Sequence, residues 1–214
     1  MAVWTLADRL LRNPREVAAR RDASVWQLVV LTALGALAFG TAVGIWRGPL
    51  QAVFSGGKMP LVFLLPVLIS LPGIRAIYAS CGARANLRQM AFASLVGTTR
   101  TALLATALSP GVWLVYSLDP PYELAVLTLA GALGLAGLPG LALVHQAMPS
   151  GGRPRRILAG VAAFGILAAV TAQTGWVLRP FVGQVDAPVM LFAPLRGDVL
   201  QGLQEPSIVD VSPE

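Results

Sequence analysis

The sequence predicts an all-α integral membrane protein, a bundle of five transmembrane helices with the N-terminus in the cytoplasm and the C-terminus outside. Three observations predict it. Five apolar stretches, near residues 25–46, 59–79, 90–118, 123–147 and 156–178, are each long enough to cross a hydrocarbon core of about 30 Å. Charged residues make up 12% of the chain against 56% hydrophobic, with a mean hydropathy of +0.70, whereas a soluble domain carries about 25% charge. The arginines fall in alternate gaps between the apolar stretches. Helices are expected because in lipid the backbone must satisfy its own hydrogen bonds.

The arginine pattern sets the orientation. Arg9, Arg12, Arg15, Arg20 and Arg21 precede the first stretch, Arg84 and Arg88 lie between the second and third, and Arg153, Arg155 and Arg156 lie between the fourth and fifth. The other side carries Arg47 and Lys58, then Asp119 and Glu123, then a tail with Asp186, Asp198, Glu205, Asp210 and Glu214 beside Arg179 and Arg196. The positive-inside rule places the arginine-rich side in the cytoplasm. A net charge of +6 divided among short juxtamembrane loops points to topology and anionic lipid, not nucleic acid. The chain is therefore expected to be multi-pass, with its arginine-rich loops on the cytoplasmic side. A mixed-charge segment ahead of the first stretch, with no small-residue cleavage site, predicts that this stretch is a span and not a cleavable signal peptide. Cys81, the one cysteine, has no partner for an internal disulfide.

Residues 1–24 form an amphipathic cytoplasmic segment, 25–178 the five-helix membrane domain and 179–214 an external segment whose end reads as disordered. In the first of these, Asn13-Pro14-Arg15-Glu16 has helix-start chemistry and predicts a short helix from Pro14 into Arg21. Ahead of it Trp4, Leu6, Leu10 and Leu11 alternate with Asp8, Arg9 and Arg12. Such a segment lies in the membrane interface or packs against the cytoplasmic end of the bundle.

The first span carries Ala36, Gly40 and Gly44 at four-residue spacing, a small-residue seam that admits a second backbone from the same chain or from a neighbour. The second contains Pro60, Pro66 and Pro72, the last followed by Gly73. Pro66 and Pro72 each remove a backbone bond and bend the helix, either as a structural kink or as the broken helix of a transporter site. Arg75 beyond them can snorkel to the cytoplasmic interface. The fourth span repeats glycine at Gly131, Gly134, Gly137 and Gly140 around Pro139.

Arg100 interrupts the third stretch 12 residues after Arg88, about 18 Å along a helix at 1.5 Å per residue. At mid-bilayer a charge costs at least about 2.5–3.5 kcal/mol and marks a functional candidate, whose partners would be Ser94, Thr98 or Thr101, exposed carbonyls near a proline kink, a lipid phosphate, water in a cavity or an acid on another protein. In a second geometry residues 84–99 form an interfacial helix, the span is 101–118 and Arg100 marks its cytoplasmic boundary.

Catalytic chemistry is sparse. His145 reads as interfacial, and there is no HExxH site, nucleophile elbow, phosphate-binding glycine loop or intramembrane carboxylate pair. No catalytic, metal or cofactor residue is predicted, and the chain does not read as an enzyme. The run Gly175-Trp176-Val177-Leu178-Arg179-Pro180-Phe181-Val182-Gly183 and the apolar stretch from Pro188 to Leu203 form a candidate docking segment, with Trp176, Arg179, Phe181 and Phe192 as anchors. It packs on the outer surface of the bundle, lies in the outer leaflet, or docks on a partner.

Lys58-Met59-Pro60-Leu61-Val62-Phe63-Leu64-Leu65 together with Gly175–Gly183 resembles a family of small polytopic membrane proteins from cyanobacteria and other bacteria. Some members carry an actin-binding WASP-homology-two label, but no basic amphipathic actin-binding motif stands here. The Asn13–Glu16 segment followed by five spans is, more distantly, similar to the Yip family of membrane-trafficking proteins. That resemblance implies a five-helix architecture and no catalytic residues. The expected function is a non-enzymatic subunit or scaffold of a larger membrane assembly, or a lipid-interacting organiser. Its partners are lipids and other membrane subunits or copies of itself. The alternative is a channel or transporter with a polar site at Arg100.

Overall fold

Polar and turn-forming residues set the limits of the helices, because the apolar runs carry no boundaries of their own. The computed structural model describes residues 3–20, 23–82, 86–147, 153–179, 181–182 and 191. Within them lie seven helices: α1 (Val3–Arg12), α2 (Pro14–Arg20), α3 (Val25–Gly44), α4 (Pro49–Ser80), α5 (Leu87–Tyr116), α6 (Tyr122–Ala147) and α7 (Arg153–Val177). Asn13 is the elbow between α1 and α2. The Ser24 amide meets Gln27 Oε1 at 3.4 Å as α3 begins, and the Asn86 side chain accepts from the Arg88 amide at 3.3 Å as α5 begins. Gly48, at φ 135°, makes the sharp turn that lets Pro49 open α4.

Five of these helices, α3 to α7, are long and apolar enough to cross a membrane. Their limits differ from the sequence reading most at α4, which starts at Pro49 instead of near 59 and so takes Lys58 into a helix. Lysine there is tolerated because tertiary partners meet its ammonium, which no local pattern reveals. Helical backbone continues through Pro60, Pro66 and Pro72, so α4 is not a discontinuous helix. α5 is likewise unbroken from Leu87 to Tyr116, and the separate interfacial helix expected over 84–99 in the second geometry is not formed.

The helices pack in an arc that does not follow chain order. α3 packs on both α4 and α5, α6 adds to α5, α7 adds to α4, and α4 meets α5 behind them. The spatial order is thus α7, α4, α3, α5, α6. The interior of this arc is mostly apolar, with a few buried polar side chains between the helices. Thr32 Oγ1 and Thr99 Oγ1, both fully buried, lie 2.9 Å apart and within 2.8 and 3.3 Å of the Leu28 carbonyl, tying α3 to α5. Leu68, Leu127, Leu135 and Leu158 meanwhile face outward, 65–70% exposed. In water such apolar surface would aggregate; in lipid it is matched to its solvent.

The head, α1 and α2, turns its apolar stripe onto the bundle. Leu6, Leu10 and Val17 are fully buried among Leu28, Leu31, Phe92, Val96 and Leu143. Of the two sequence readings, packing on the bundle accounts for that stripe. Trp4 and Leu11, seven residues apart and so on one helical face, stay outward at 82% and 43% exposure.

Candidate functional site

Because α6 and α7 stand at the two ends of the arc, they face each other across a gap floored by α4 and α5. Among the described residues they do not pack along their lengths. The gap is a groove of about 540 Å³, lined mainly by apolar side chains such as Phe63, Pro66, Leu133, Phe164 and Leu167. Its few polar groups include Ser70, Ser94, Thr98 and Thr171.

The glycines of α6 divide between two roles that their spacing does not distinguish. Gly140 is a crossing point: a Cβ there would lie 2.5 Å from the Gly97 carbonyl oxygen and would also clash with the Thr101 hydroxyl. Gly134 and Gly137 line the groove, and a Cβ at either would meet nothing within 4 Å. At the head end of the groove the Tyr78 hydroxyl and His145 Nδ1 lie 3.2 Å apart, joining α4 to α6. Gly160 of α7 closes on the same imidazole, where a Cβ would come within 2.5 Å of Nδ1. Nothing in the sequence pattern around Tyr78 announces His145 as its partner.

Arg100 does not gather with the threonines expected beside it. Thr98 and Thr101 line the groove. Arg100 points to the other side of the α5–α6 crossing, where its Nη1 donates to the Pro139 carbonyl at 3.3 Å and its Nε is buried without a hydrogen-bond partner. It opens into a second cavity, of about 660 Å³, shared with Arg12, Asn13, Arg15 and Glu16 of the head. The reason is helical spacing: Phe92 and Val96 meet the head, and Arg100 is the next position on that stripe. Arg100 thus lies at the level of the head's elbow.

The Ala36, Gly40 and Gly44 seam is filled within the chain. Ala36 is fully buried in the core. A Cβ on Gly40 would come 2.6 Å from the Ser55 carbonyl oxygen, and one on Gly44 2.5 Å from the Ala52 Cα, so both glycines seat α4 against α3. Gly73 faces Ile166 of α7 at an ordinary 3.5 Å, and Pro66 borders the groove.

At the opposite end the segment after α7 docks on α4. The Phe181 carbonyl accepts from Ser55 Oγ at 2.7 Å and from Gln51 Nε2 at 3.3 Å. Lys58 Nζ donates to the Leu191 carbonyl at 2.7 Å and lies 5.2 Å from the centre of the Phe181 ring. Phe181 also packs on the main core, in which Val182 is buried, while the Arg179 guanidinium stacks 3.6 Å over Trp176. Phe192 lies outside the described residues. The linear pattern does not group Gln51, Ser55 and Lys58 as a site, although their spacing of four and three places them on one helical face.

Helices with an apolar exterior and buried hydroxyls around a sideways-opening groove define a multi-pass α-helical membrane protein. Comparison of the chain with family models, with curated proteins and with solved structures finds no match in any of the three. Among the described residues no group of three or more His, Cys, Asp or Glu side chains comes together.

Proposed function

We propose that this chain is a non-enzymatic protein of a bacterial cytoplasmic membrane that holds a lipid in the groove between α6 and α7 and so organises its membrane surroundings or a larger assembly. One observation carries this reading: an apolar cavity of about 540 Å³ that opens sideways from the bundle. The volume falls within the about 300–1,000 Å³ of ligand pockets and suits an acyl chain. Lipid tails are as apolar as leucine, so selection there rests on shape and on the scattered hydroxyls, not on hydrophobicity.

Gly137 supplies the test. A leucine at this position fills the groove and meets no neighbouring atom at its Cβ. We expect Gly137→Leu, purified in mild detergent, to retain several-fold less lipid than the wild type by mass spectrometry, with an unchanged melting temperature. Gly111→Leu, equally unobstructed but outside the groove, should retain the wild-type amount. Wild-type lipid content in Gly137→Leu would sink the reading, as would a wild-type monomer that brings no lipid or protein with it.

The same proposal puts the head in the cytoplasm and the docked tail outside, on the strength of the arginine asymmetry. Cys81, half-buried at the head end of α4, reports on this without mutagenesis. A membrane-impermeant maleimide should label it in inverted vesicles and leave it unlabelled in intact spheroplasts. Labelling in spheroplasts reverses the orientation.

A second reading, a channel or transporter, is favoured by the polar cavity at Arg100. Against it stands the Gly97–Gly140 contact, where two backbones meet between that cavity and the groove. Anion flux into liposomes that is lost in Arg100→Ala would favour transport.

A further inference from the structure

We propose that the cavity between the α1–α2 elbow and the α5–α6 pair is a binding site for a phosphate-bearing anion, gripped by Arg100 from the bundle and Arg15 from the head. This site lies on the far side of the α5–α6 crossing from the lipid groove and does not depend on it. Its walls carry Arg12, Asn13, Arg15 and Glu16 from the elbow and Arg100 and Gln146 from the bundle. Three arginines and one glutamate are therefore among the residues around it.

The existing ion pairs sharpen that imbalance. Glu16 is engaged by Arg20 at 2.7 Å, and Arg12 turns its Nε to Asp8 at 2.7 Å. Arg15 and Arg100 have no acidic partner among the described residues. Arg100 is the more telling of the two. Its guanidinium has five N–H donors; one reaches the Pro139 carbonyl at 3.3 Å, while the buried Nε–H reaches nothing. A buried charged donor left unsatisfied is costly, and an anion in the cavity removes that cost.

Phosphate fits better than a carboxylate. Its tetrahedral oxygens can accept from two guanidiniums approaching out of one plane, whereas a carboxylate presents its acceptor sites in a single plane. The Asn13 and Gln146 amides can donate to the remaining oxygens, and Glu16 at the wall disfavours a second anion. The phosphate can belong to a lipid headgroup, since the site lies at the end where juxtamembrane arginines collect, or to a soluble phosphomonoester.

The full chain, purified in a maltoside detergent free of phosphate, separates these sources. Inorganic phosphate is titrated by calorimetry in one arm; short-chain phosphatidic acid and phosphatidylcholine compete in the other, read by native mass spectrometry. We expect one anion per chain, bound at least about tenfold more weakly by Arg15→Gln and by Arg100→Gln, as befits loss of a charge-assisted fork. Arg100→Lys, which keeps the charge and loses the fork, should fall between. Arg88→Gln removes an exposed arginine of α5 outside the cavity and should bind as the wild type does. Because Arg15 is exposed, its variant keeps the test open if Arg100→Gln fails to fold. Binding of phosphatidic acid alone assigns the site to a headgroup, and binding of inorganic phosphate assigns it to a soluble ligand; either supports the proposal. No binding in either arm, or equal weakening in Arg88→Gln, overturns it.

Discussion

Replacing Gly44 by leucine is expected to destabilise the bundle by about 3 kcal/mol, the upper end of overpacking costs. The new Cβ would stand 2.5 Å from the Ala52 Cα and 2.6 Å from the Gln51 carbonyl oxygen, both backbone atoms of α4 that cannot rotate away. α3 and α4 must separate, and the contacts of Gly40 and Gly56 along the same line go with them. In lipid no hydrophobic force draws the helices back, because the vacated surface is solvated by acyl chains. A thermal melt in detergent should fall by about 10 °C, taking about 2–4 °C per kcal/mol for a chain of this size. Gly57→Leu is the matched control, since a Cβ there meets nothing within 4 Å. Equal melting of the two variants would remove the seam from the account of stability. The oligomeric state should not change, because the seam is closed inside one chain.

The second large effect is expected at Lys58. Lys58→Ala removes the ammonium that donates to the Leu191 carbonyl at 2.7 Å and lies over the Phe181 ring. A charge-assisted hydrogen bond contributes about 1.5–3 kcal/mol and a cation–π contact about 0.5–1, so docking should weaken by roughly 2 kcal/mol or more. That raises the undocked fraction about 30-fold. Chymotrypsin cleavage after Phe181 and amide exchange at Phe181 and Val182 should accelerate accordingly, with the five-helix melt little affected. Ser55→Ala takes away one of two donors to the Phe181 carbonyl and should give a smaller change in the same direction. Cleavage at the wild-type rate in Lys58→Ala would mean that apolar packing of Phe181 and Val182 alone holds the segment.

The glycines mark how far a linear reading reaches. Gly40, Gly44, Gly134, Gly137 and Gly140 are alike in sequence, each a small residue at helical spacing in an apolar run. Gly40, Gly44 and Gly140 are crossing points, whereas Gly134 and Gly137 border open space. Which of these a glycine becomes depends on whether a second helix lies opposite it, and that is a property of the arc. Gln51, Ser55 and Lys58 show the opposite case. Their common face was legible, but a lysine and a proline next to an apolar run read as its boundary, and the docked tail that accommodates the lysine comes from the far end of the chain.

The sequence by itself determined that this chain is helical, that five of its helices are long and apolar enough to span a membrane, and that Arg100 is out of place among apolar neighbours. Those properties follow from side-chain transfer energies summed over some 20 residues, which depend on no distant contact. Tertiary structure alone decided that α6 and α7 stand apart over a groove, that Thr98 and Thr101 face it while Arg100 faces the head, and that Arg15 shares a cavity with Arg100. The physical reason is that helices in lipid are matched by close backbone approach and a few buried polar contacts. Whether a given small or polar residue is used in that way is set by what lies across from it.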